Sequence, residues 1–189
     1  SPDGKLEMSF HLTGDGTPEY TLDYDGRPVI LSSGMGFELR GVLKAQKIDY
    51  NADGTVSKSD WKPCESLHDG FVVESVERSS HDETWTPVWG EEDSIRNNYN
   101  ELAVNLVQAS TERRLVIRFR LFNDGLGFRY EFPSQKNLNY FVIKEELTQF
   151  AMTADHTAWW IPGDYDTQEY NYTQCRLSEI SKHFKEALT

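Results

Sequence analysis

The chain has 189 residues, of which 38% are hydrophobic and 13% aromatic, and this composition predicts a folded domain with a core rather than a disordered segment. Its 31 acidic and 19 basic residues give a net charge of −12, which disfavours nucleic acid as a partner because phosphate backbones are repelled. No apolar run approaches the roughly 20 residues that span a membrane, so we expect no membrane partner either.

The cellular compartment is left open by the ends of the sequence and by its cysteines. The first residues, SPDGKLEMSF, contain no basic stretch followed by an apolar one, which predicts either a cytosolic protein or a mature segment whose leader was removed. Cys64 and Cys175 lie far apart and form no CxxC motif. One disulfide is an alternative, and two unpaired thiols are the plainer interpretation.

Alternation of apolar and polar residues dominates the chain and predicts antiparallel strands. The alternating stretches are 6–12, 20–24, 102–106, 115–121 and 128–132, with shorter strands expected at 141–143 and around 150–152. Asp25-Gly26 predicts a hairpin that leads into residues 29–31, and the NDGLG sequence predicts a second hairpin within 115–132.

Helical spacing occurs only near the end of the chain, where apolar residues recur at intervals of three and four. These residues are Leu177, Ile180, Phe184 and Leu188. Residues 44–70 are polar and irregular, which is typical of a long connection. The whole pattern predicts an all-β fold, an antiparallel β-sandwich with one late helix.

Residues 49–60, DYNADGTVSKSD, resemble a calcium-binding EF-hand loop. Oxygen ligands at loop positions 1, 3 and 5, glycine at 6 and a carboxylate at 12 fit that motif. However, Asp60 is shorter than the usual glutamate, and Pro63 interrupts any helix that would follow. A solvated Asx-type turn explains the same residues, so both interpretations stay open.

The sequence contains no motif that assigns catalysis directly. None of the five histidines has metal-ligand spacing to another histidine, and surface or core roles are the simpler interpretation for each. The GxSxG, HExxH, phosphate-loop and dinucleotide-binding motifs are absent from the sequence.

Residues 83–101 combine aromatic and polar side chains in a way that suits a carbohydrate. Trp85 and Trp89 offer flat apolar faces, and the neighbouring polar residues offer hydrogen bonds. The polar residues are Glu91, Glu92, Asp93, Arg96, Asn97 and Asn98. The alternative is that both tryptophans pack inside the sandwich and the polar residues form a loop.

Residues 160–170, WIPGDYDTQEY, hold three carboxylates beside aromatic residues. Asp164, Asp166 and Glu169 could supply oxygen ligands for a metal or an acid and base pair. A solvated turn is the interpretation that spacing alone favours, because Pro-Gly-Asp sequences usually form turns.

Four blocks of sequence carry a more specific signal than these short motifs. They are ETWTPVWGEEDSIRNNYNELAV, RLVIRFRLFNDGLGFRYEFP, LNYFVIKEE and WIPGDYDTQEYNYT. Together they resemble the N-terminal domain of glycoside hydrolase family 97, and the resemblance runs from SPDGKLEMSF to the RLSEI helix. Residues 44–68, which include the calcium-loop motif, show little similarity to the family.

The resemblance implies one domain over residues 1–189, a galactose-mutarotase-like β-super-sandwich that is truncated here. A catalytic (β/α)8 barrel would follow Thr189 and pack on this domain. The nearest branch comprises inverting, calcium-dependent α-glucosidases that act on starch-derived α-glucans, while the retaining α-galactosidase branch stays open. Their catalytic carboxylates lie on the barrel, so we expect this chain to be inactive alone. A periplasmic or secreted bacterial location is also implied.

The resemblance assigns a role to Glu169, because in the family a glutamate of this domain joins barrel glutamates around the calcium ion. One carboxylate would hold calcium poorly without those partners, since the ion takes about six to eight oxygen ligands. We therefore expect Glu169 to be the metal ligand of this chain, with calcium bound only in the longer enzyme. No specific role follows for Asp164, Asp166 or Gln168.

Two other functions compete with the family interpretation. The chain could be a free-standing carbohydrate-binding module that uses Trp85, Trp89 or the 160–170 loop. It could also be an aldose epimerase, but the sequence assigns no His/Glu pair to that acid and base chemistry. The truncation implied by the resemblance also predicts self-association or marginal stability, because missing strands leave unpaired edges.

Overall fold

The computed structural model describes residues 1–40, 65–164, 166 and 169–187, and most of these residues are in antiparallel strands. The chain divides into two compact units, Ser1–Phe150 and Ala151–Thr189. None of the helices among the described residues is both long and apolar enough to cross a membrane. The expectation of one domain over 1–189 stays a prediction.

The first unit is built from ten described strands. They are β1 (Leu6–Leu12), β2 (Pro18–Tyr24), β3 (Arg27–Gly34), β4 (Phe37–Arg40), β5 (Glu65–Leu67), β6 (Phe71–Trp85), β7 (Ile95–Gln108), β8 (Arg114–Leu121), β9 (Leu126–Glu131) and β10 (Val142–Glu146). They form sheets of order β1-β2-β3, β10-β4-β5 and β6-β7-β8-β9 within the described part of the chain.

The three sheets share one hydrophobic core. Each contributes apolar side chains from alternate strand positions, which explains why the alternation was readable in the sequence. The buried cluster consists of Tyr20, Met35, Phe37, Leu39, Leu67, Phe71, Val104, Leu106, Leu115, Ile117, Phe119 and Leu138. The antiparallel β-sandwich is confirmed.

Residues 147–149 close the first unit by pairing with residues near its start. The Tyr20 hydroxyl is buried and donates to the Gln149 carbonyl at 2.9 Å. The Gly34 N–H donates to the Gln149 side-chain oxygen at 3.1 Å, and the Leu147 N–H donates to the Gly36 carbonyl at 2.9 Å. Contacts between residues more than 100 positions apart therefore seal the sandwich.

Two glycines beside these strands stand where the backbone needs them, Gly26 in a left-handed turn and Gly36 where two backbone segments approach closely. Asp25 (φ 53°) and Gly26 (φ 71°) form the turn between β2 and β3 in the left-handed region that short hairpins need. Gly36 has φ 131°, and a Cβ atom there would lie 2.6 Å from the Cβ of His68. A side chain at position 36 would therefore force the two backbones apart.

The second unit is a two-stranded ribbon followed by a helix. β11 (Thr157–Trp160) pairs antiparallel with β12 (Thr173–Arg176), a 3-10 turn spans Leu177–Glu179, and α1 spans Ile180–Ala187. Among the residues of this unit whose burial is described, which end at residue 183, Pro162 is the one that is buried. This part of the unit therefore has little hydrophobic core of its own.

Most predicted elements are present, and the differences have a physical cause. The hairpins at Asp25-Gly26 and within 115–132 are confirmed, and the predicted helix is confirmed as far as residue 187. The strand expected around 150–152 is wrong, since only Met152 forms an isolated bridge. β6 was missed because it is exposed at almost every position and therefore shows no alternation. β4, β5, β11 and β12 were missed because each has only three or four residues, too few for a period of two to be recognised.

Candidate functional site

The 160–170 segment begins in β11 and continues into the connection between β11 and β12. The register runs from Thr157 opposite Arg176 to Trp160 opposite Thr173, so the ribbon fixes both ends of the connection. Residues 161–164 follow β11 in irregular backbone without a turn or bend, and Asp166 lies in a bend. The three predicted carboxylates thus lie on one loop whose base is held by backbone hydrogen bonds.

Asp164 stabilises this loop from within. Its Oδ1 accepts a hydrogen bond from the Asp166 N–H at 2.9 Å, which is an Asx-type turn. Its Oδ2 accepts a hydrogen bond from the Tyr170 hydroxyl, and that bond raises the pKa of the Tyr170 phenol. Both carboxylate oxygens of Asp164 have partners in the loop, so its role is structural.

Glu169 lies on the same loop with an exposed side chain. Its carboxylate is the hard oxygen donor that calcium prefers, so its chemistry fits the metal implied by the family. Among the described residues Glu169 belongs to no group of three or more close metal-binding side chains. It can therefore contribute to a calcium site only together with ligands from outside the described part of this chain.

Two predicted features cannot be placed in the fold. The calcium-loop motif at 49–60 and Cys64 both lie outside the described residues. The other cysteine, Cys175, is a free thiol that accepts a hydrogen bond from the Trp160 indole N–H at 3.2 Å.

The tryptophans of the 83–101 cluster are exposed. β6 and β7 pair from Phe71 opposite Gln108 to Trp85 opposite Ile95, and the tip of this long hairpin carries both tryptophans. The exposed fraction is 48% for Trp85 and 89% for Trp89. The expectation that they pack inside the sandwich is wrong, because the hairpin extends beyond the core.

Two polar residues of this cluster, Arg96 and Asn97, bond across the two strands. Arg96 donates two hydrogen bonds to the Asp82 carboxylate at 2.8 and 2.7 Å. The Asn97 amide donates to Glu83 at 3.2 Å. Residues 95–101 belong to β7 and do not form the loop that the alternative interpretation expected. The hairpin therefore offers exposed indole faces, but Arg96 and Asn97, which were expected to bind a sugar, already bond to side chains of the neighbouring strand.

The structure also places histidines beside glutamates, which the sequence could not reveal. His11 Nε2 lies 3.1 Å from Glu19 Oε2, and His81 Nε2 lies 3.0 Å from Glu83 Oε1. Each pair sits on the surface of a strand pair, with about half of the imidazole exposed. Surface pairs of this kind do not form the enclosed acid and base site that sugar epimerisation requires.

A further group of side chains comes together in the second unit. The ligand atoms of Cys175, Glu179 and His183 all lie within 4.8 Å of one another. Spacing between histidines does not reveal this set, because it contains a single histidine. The signal that could have found it is the regular spacing Cys-x3-Glu-x3-His at the boundary between a strand and a helix.

Comparison with known proteins gives a family and a set of similar structures. The family model described as Glycosyl-hydrolase 97 N-terminal matches residues 1–189. A glycoside hydrolase family 97 enzyme from Pseudoalteromonas sp. strain K8, in complex with acarbose, is similar with TM-score 0.77 and 29% identity over 95% of this chain. A glutamate-to-glutamine variant of that enzyme, in complex with panose, is similar with TM-score 0.75 and 29% identity over 92% of this chain.

A more distant structure shares the fold alone. A β-arabinopyranosidase is similar with TM-score 0.66 and 19% identity over 86% of this chain and 22% of its own. The two Pseudoalteromonas structures are matched over 24% and 23% of their own chains. The chain thus spans about a quarter of the length of the solved structures that it resembles.

Proposed function

The chain belongs to the glycosyl-hydrolase 97 N-terminal family, and from this premise we propose that it is the non-catalytic sandwich of an inverting, calcium-dependent α-glucosidase that acts on starch-derived α-glucans. The observation that carries the proposal is the family match over all 189 residues. The complexes of the similar enzyme with acarbose and panose support a glucan substrate, because panose consists of α-linked glucose units.

In this proposal the chemical step belongs to another part of the longer enzyme. An inverting glycosidase needs one carboxylic acid to protonate the leaving oxygen and a carboxylate base to activate water. We place both on a (β/α)8 barrel of the same protein, as the family resemblance implies, and the 160–170 loop contributes Asp164, which is hydrogen-bonded within the loop, and the exposed Asp166 and Glu169. The isolated chain is then inactive.

The contribution of this chain to the site is Glu169. Calcium, when bound, supplies positive charge beside the substrate. The β11–β12 ribbon and the Asp164 hydrogen bonds fix the loop that carries Glu169 and present its exposed carboxylate outward. Glu169 thereby connects the sandwich to the ligands that the barrel provides.

Exposed aromatic residues of the second unit support packing against a barrel. Trp159, Tyr170 and Tyr172 belong to the same unit and are exposed, with 65%, 39% and 70% of their surface accessible. Exposed aromatic residues beside a polar site are typical of a face that another domain covers. We also propose that the longer enzyme is periplasmic or secreted, as the resemblance to the family implies.

The test uses the longer enzyme with Glu169→Gln. We expect the calcium concentration for half-maximal hydrolysis of p-nitrophenyl α-glucoside to rise about tenfold or more, because a charged ligand is lost while its size is kept. Asp166→Asn removes a carboxylate from the same loop and serves as the matched control, with unchanged calcium dependence. Equal calcium dependence in the wild type and Glu169→Gln would remove the assignment.

One observation favours a second candidate function, a free-standing carbohydrate-binding module. Trp89 is 89% exposed at the tip of the β6–β7 hairpin, and Trp85 beside it is 48% exposed. Indole faces stack on the CH faces of sugar rings. The two candidates differ in whether the 189-residue chain binds maltooligosaccharide by itself through these tryptophans.

A further inference from the structure

The boundary between β12 and α1 brings together a sulfur, an oxygen and a nitrogen ligand. Cys175 is the third residue of β12, Glu179 ends the 3-10 turn, and His183 lies in the first turns of α1. Their ligand atoms all lie within 4.8 Å of one another. Ligands of a tetrahedral zinc ion are about 3.5 Å apart, so small side-chain rotations close the site.

We propose that Cys175, Glu179 and His183 bind a divalent transition-metal ion of the zinc class. A thiolate, an imidazole and a carboxylate are the ligands that Zn²⁺ and Co²⁺ accept in tetrahedral geometry, whereas Ca²⁺ takes oxygen ligands only. Three protein ligands leave the fourth position to water. This site is distinct from the calcium site proposed at Glu169, and none of its residues lies on the 160–170 loop.

Neighbouring hydrogen bonds already orient two of the ligands. The Trp160 indole N–H donates to Cys175 Sγ at 3.2 Å and orients the sulfur. The Arg176 N–H donates to Glu179 Oε2 at 3.0 Å and fixes the carboxylate. Such hydrogen bonds from surrounding groups are characteristic of metal sites, because they hold each ligand in its binding orientation.

Asp155 fixes the turn between the ligands. Its Oδ1 accepts a hydrogen bond from the Ser178 N–H at 3.0 Å, and its Oδ2 accepts one from the Ser178 hydroxyl at 2.9 Å. Arg176 donates to the Asp155 carbonyl at 3.0 Å. The chain from 175 to 179 is thus held in place from outside, which lowers the entropy lost when an ion binds.

The second unit has a physical reason to use a metal ion. Up to residue 183, where the description of burial ends, Pro162 is its one buried residue, so hydrophobic burial in this part of the unit contributes little to its stability. Small units of this kind are commonly stabilised by a structural metal. An ion held by Cys175 and His183 would link β12 directly to α1, and the half-buried thiol and imidazole remain accessible from solvent.

The test titrates Co²⁺ and Zn²⁺ into the reduced, metal-free 189-residue chain. We expect one Co²⁺ per chain, with a thiolate-to-cobalt charge-transfer absorption that Zn²⁺ abolishes and excess Ca²⁺ does not. Cys175→Ser should remove this absorption, and Glu179→Gln and His183→Ala should weaken binding about tenfold or more. Cys64→Ser and His156→Ala are the matched controls and should bind like the wild type.

Two measurements on the wild type keep the proposal testable if a variant fails to fold. Zn²⁺ should slow alkylation of Cys175 and slow tryptic cleavage after Lys182 in α1. Absence of a charge-transfer band, a band lost in Cys64→Ser instead of Cys175→Ser, or unchanged Cys175 alkylation would each overturn the site. None of these outcomes affects the assignment of Glu169 as a calcium ligand, because that assignment is tested separately by the calcium dependence of hydrolysis in the longer enzyme.

Discussion

Arg118 on β8 lies between two carboxylates from the neighbouring strands. Arg118 donates two hydrogen bonds to Glu131 at 2.8 and 3.1 Å and one to Glu101 at 2.6 Å. Each carboxylate also accepts a hydrogen bond from a second arginine: Glu101 from Arg120 at 2.7 Å, and Glu131 from Arg129 at 2.8 Å. The hydrogen bond from Arg118 outweighs burial and lowers the pKa of Glu131 from 4.5 to about 2. Charge pairing across β7, β8 and β9 thus stabilises the ionised forms of Glu101 and Glu131.

The lowered pKa of Glu131 predicts how acid destabilises the first unit. The stabilisation is fully present above the unfolded pKa of 4.5 and is lost as the pH falls through the folded pKa of about 2. Glu131→Gln should therefore destabilise the unit at pH 7 by about 1–3 kcal/mol, with a smaller difference from the wild type at pH 3. Denaturant unfolding of the wild type and Glu131→Gln at pH 7 and pH 3 measures this difference in the free energy of unfolding.

A matched substitution separates this effect from loss of charge in general. Glu145→Gln changes an exposed glutamate of β10 and should leave the free energy of unfolding almost unchanged at pH 7. Equal destabilisation by Glu131→Gln at pH 7 and pH 3 would show that the carboxylate charge contributes nothing.

Among the strands, β6 combines great length with almost complete exposure. It is the outer strand of the β6-β7-β8-β9 sheet in the part of the chain that the structure describes. Val72, Val73 and Val76 each expose between 44% and 49% of their surface. A long outer strand with apolar side chains is a template for pairing with another chain.

We expect the isolated chain to self-associate through β6. Val73→Lys should shift it towards monomer, because a charged residue on an outer strand opposes strand pairing. Val88→Lys introduces the same charge in the hairpin loop, where Val88 is 99% exposed, and should leave association unchanged. Sedimentation at several protein concentrations measures the association state. A wild-type chain that stays monomeric at all concentrations would contradict self-association through β6.

Burial explains which strands could be predicted from the sequence. β1, β2, β8 and β9 have one face on the core, so their apolar residues alternate with polar ones and the period of two is visible. β6 is exposed on both faces, and its strand conformation comes from pairing with β7. Nothing in its own side chains reveals that pairing.

For the whole molecule, the family resemblance names Glu169 as a candidate metal ligand, and that assignment stays a prediction. Neither the exposure of Glu169 nor the two hydrogen-bonded oxygens of Asp164 could be inferred from spacing. The Cys175–Glu179–His183 group depends on how a strand meets a helix, which residue order alone does not specify. Proximity in space was the missing information in both cases.

Measurements on the isolated chain test whether it hydrolyses or binds a glucan without the proposed barrel. We expect no hydrolysis of p-nitrophenyl α-glucoside, because the proposed acid and base are on a barrel. We also expect no binding of maltooligosaccharide by titration calorimetry. Binding that is lost in Trp89→Ala and kept in Trp159→Ala would instead favour the carbohydrate-binding module, and hydrolysis by the wild-type chain would contradict the proposal.

The hydrogen bonds from Tyr20 and Gly34 to Gln149 have a consequence for how the protein is made. A ribosome releases β1 and β2 first, yet the partner that covers Tyr20 is synthesised more than 100 residues later. Until Gln149 is available, Tyr20 and Gly34 lack these partners. Completion of the sandwich therefore depends on contacts between residues far apart in sequence, which form slowly because the intervening chain must first close into a loop.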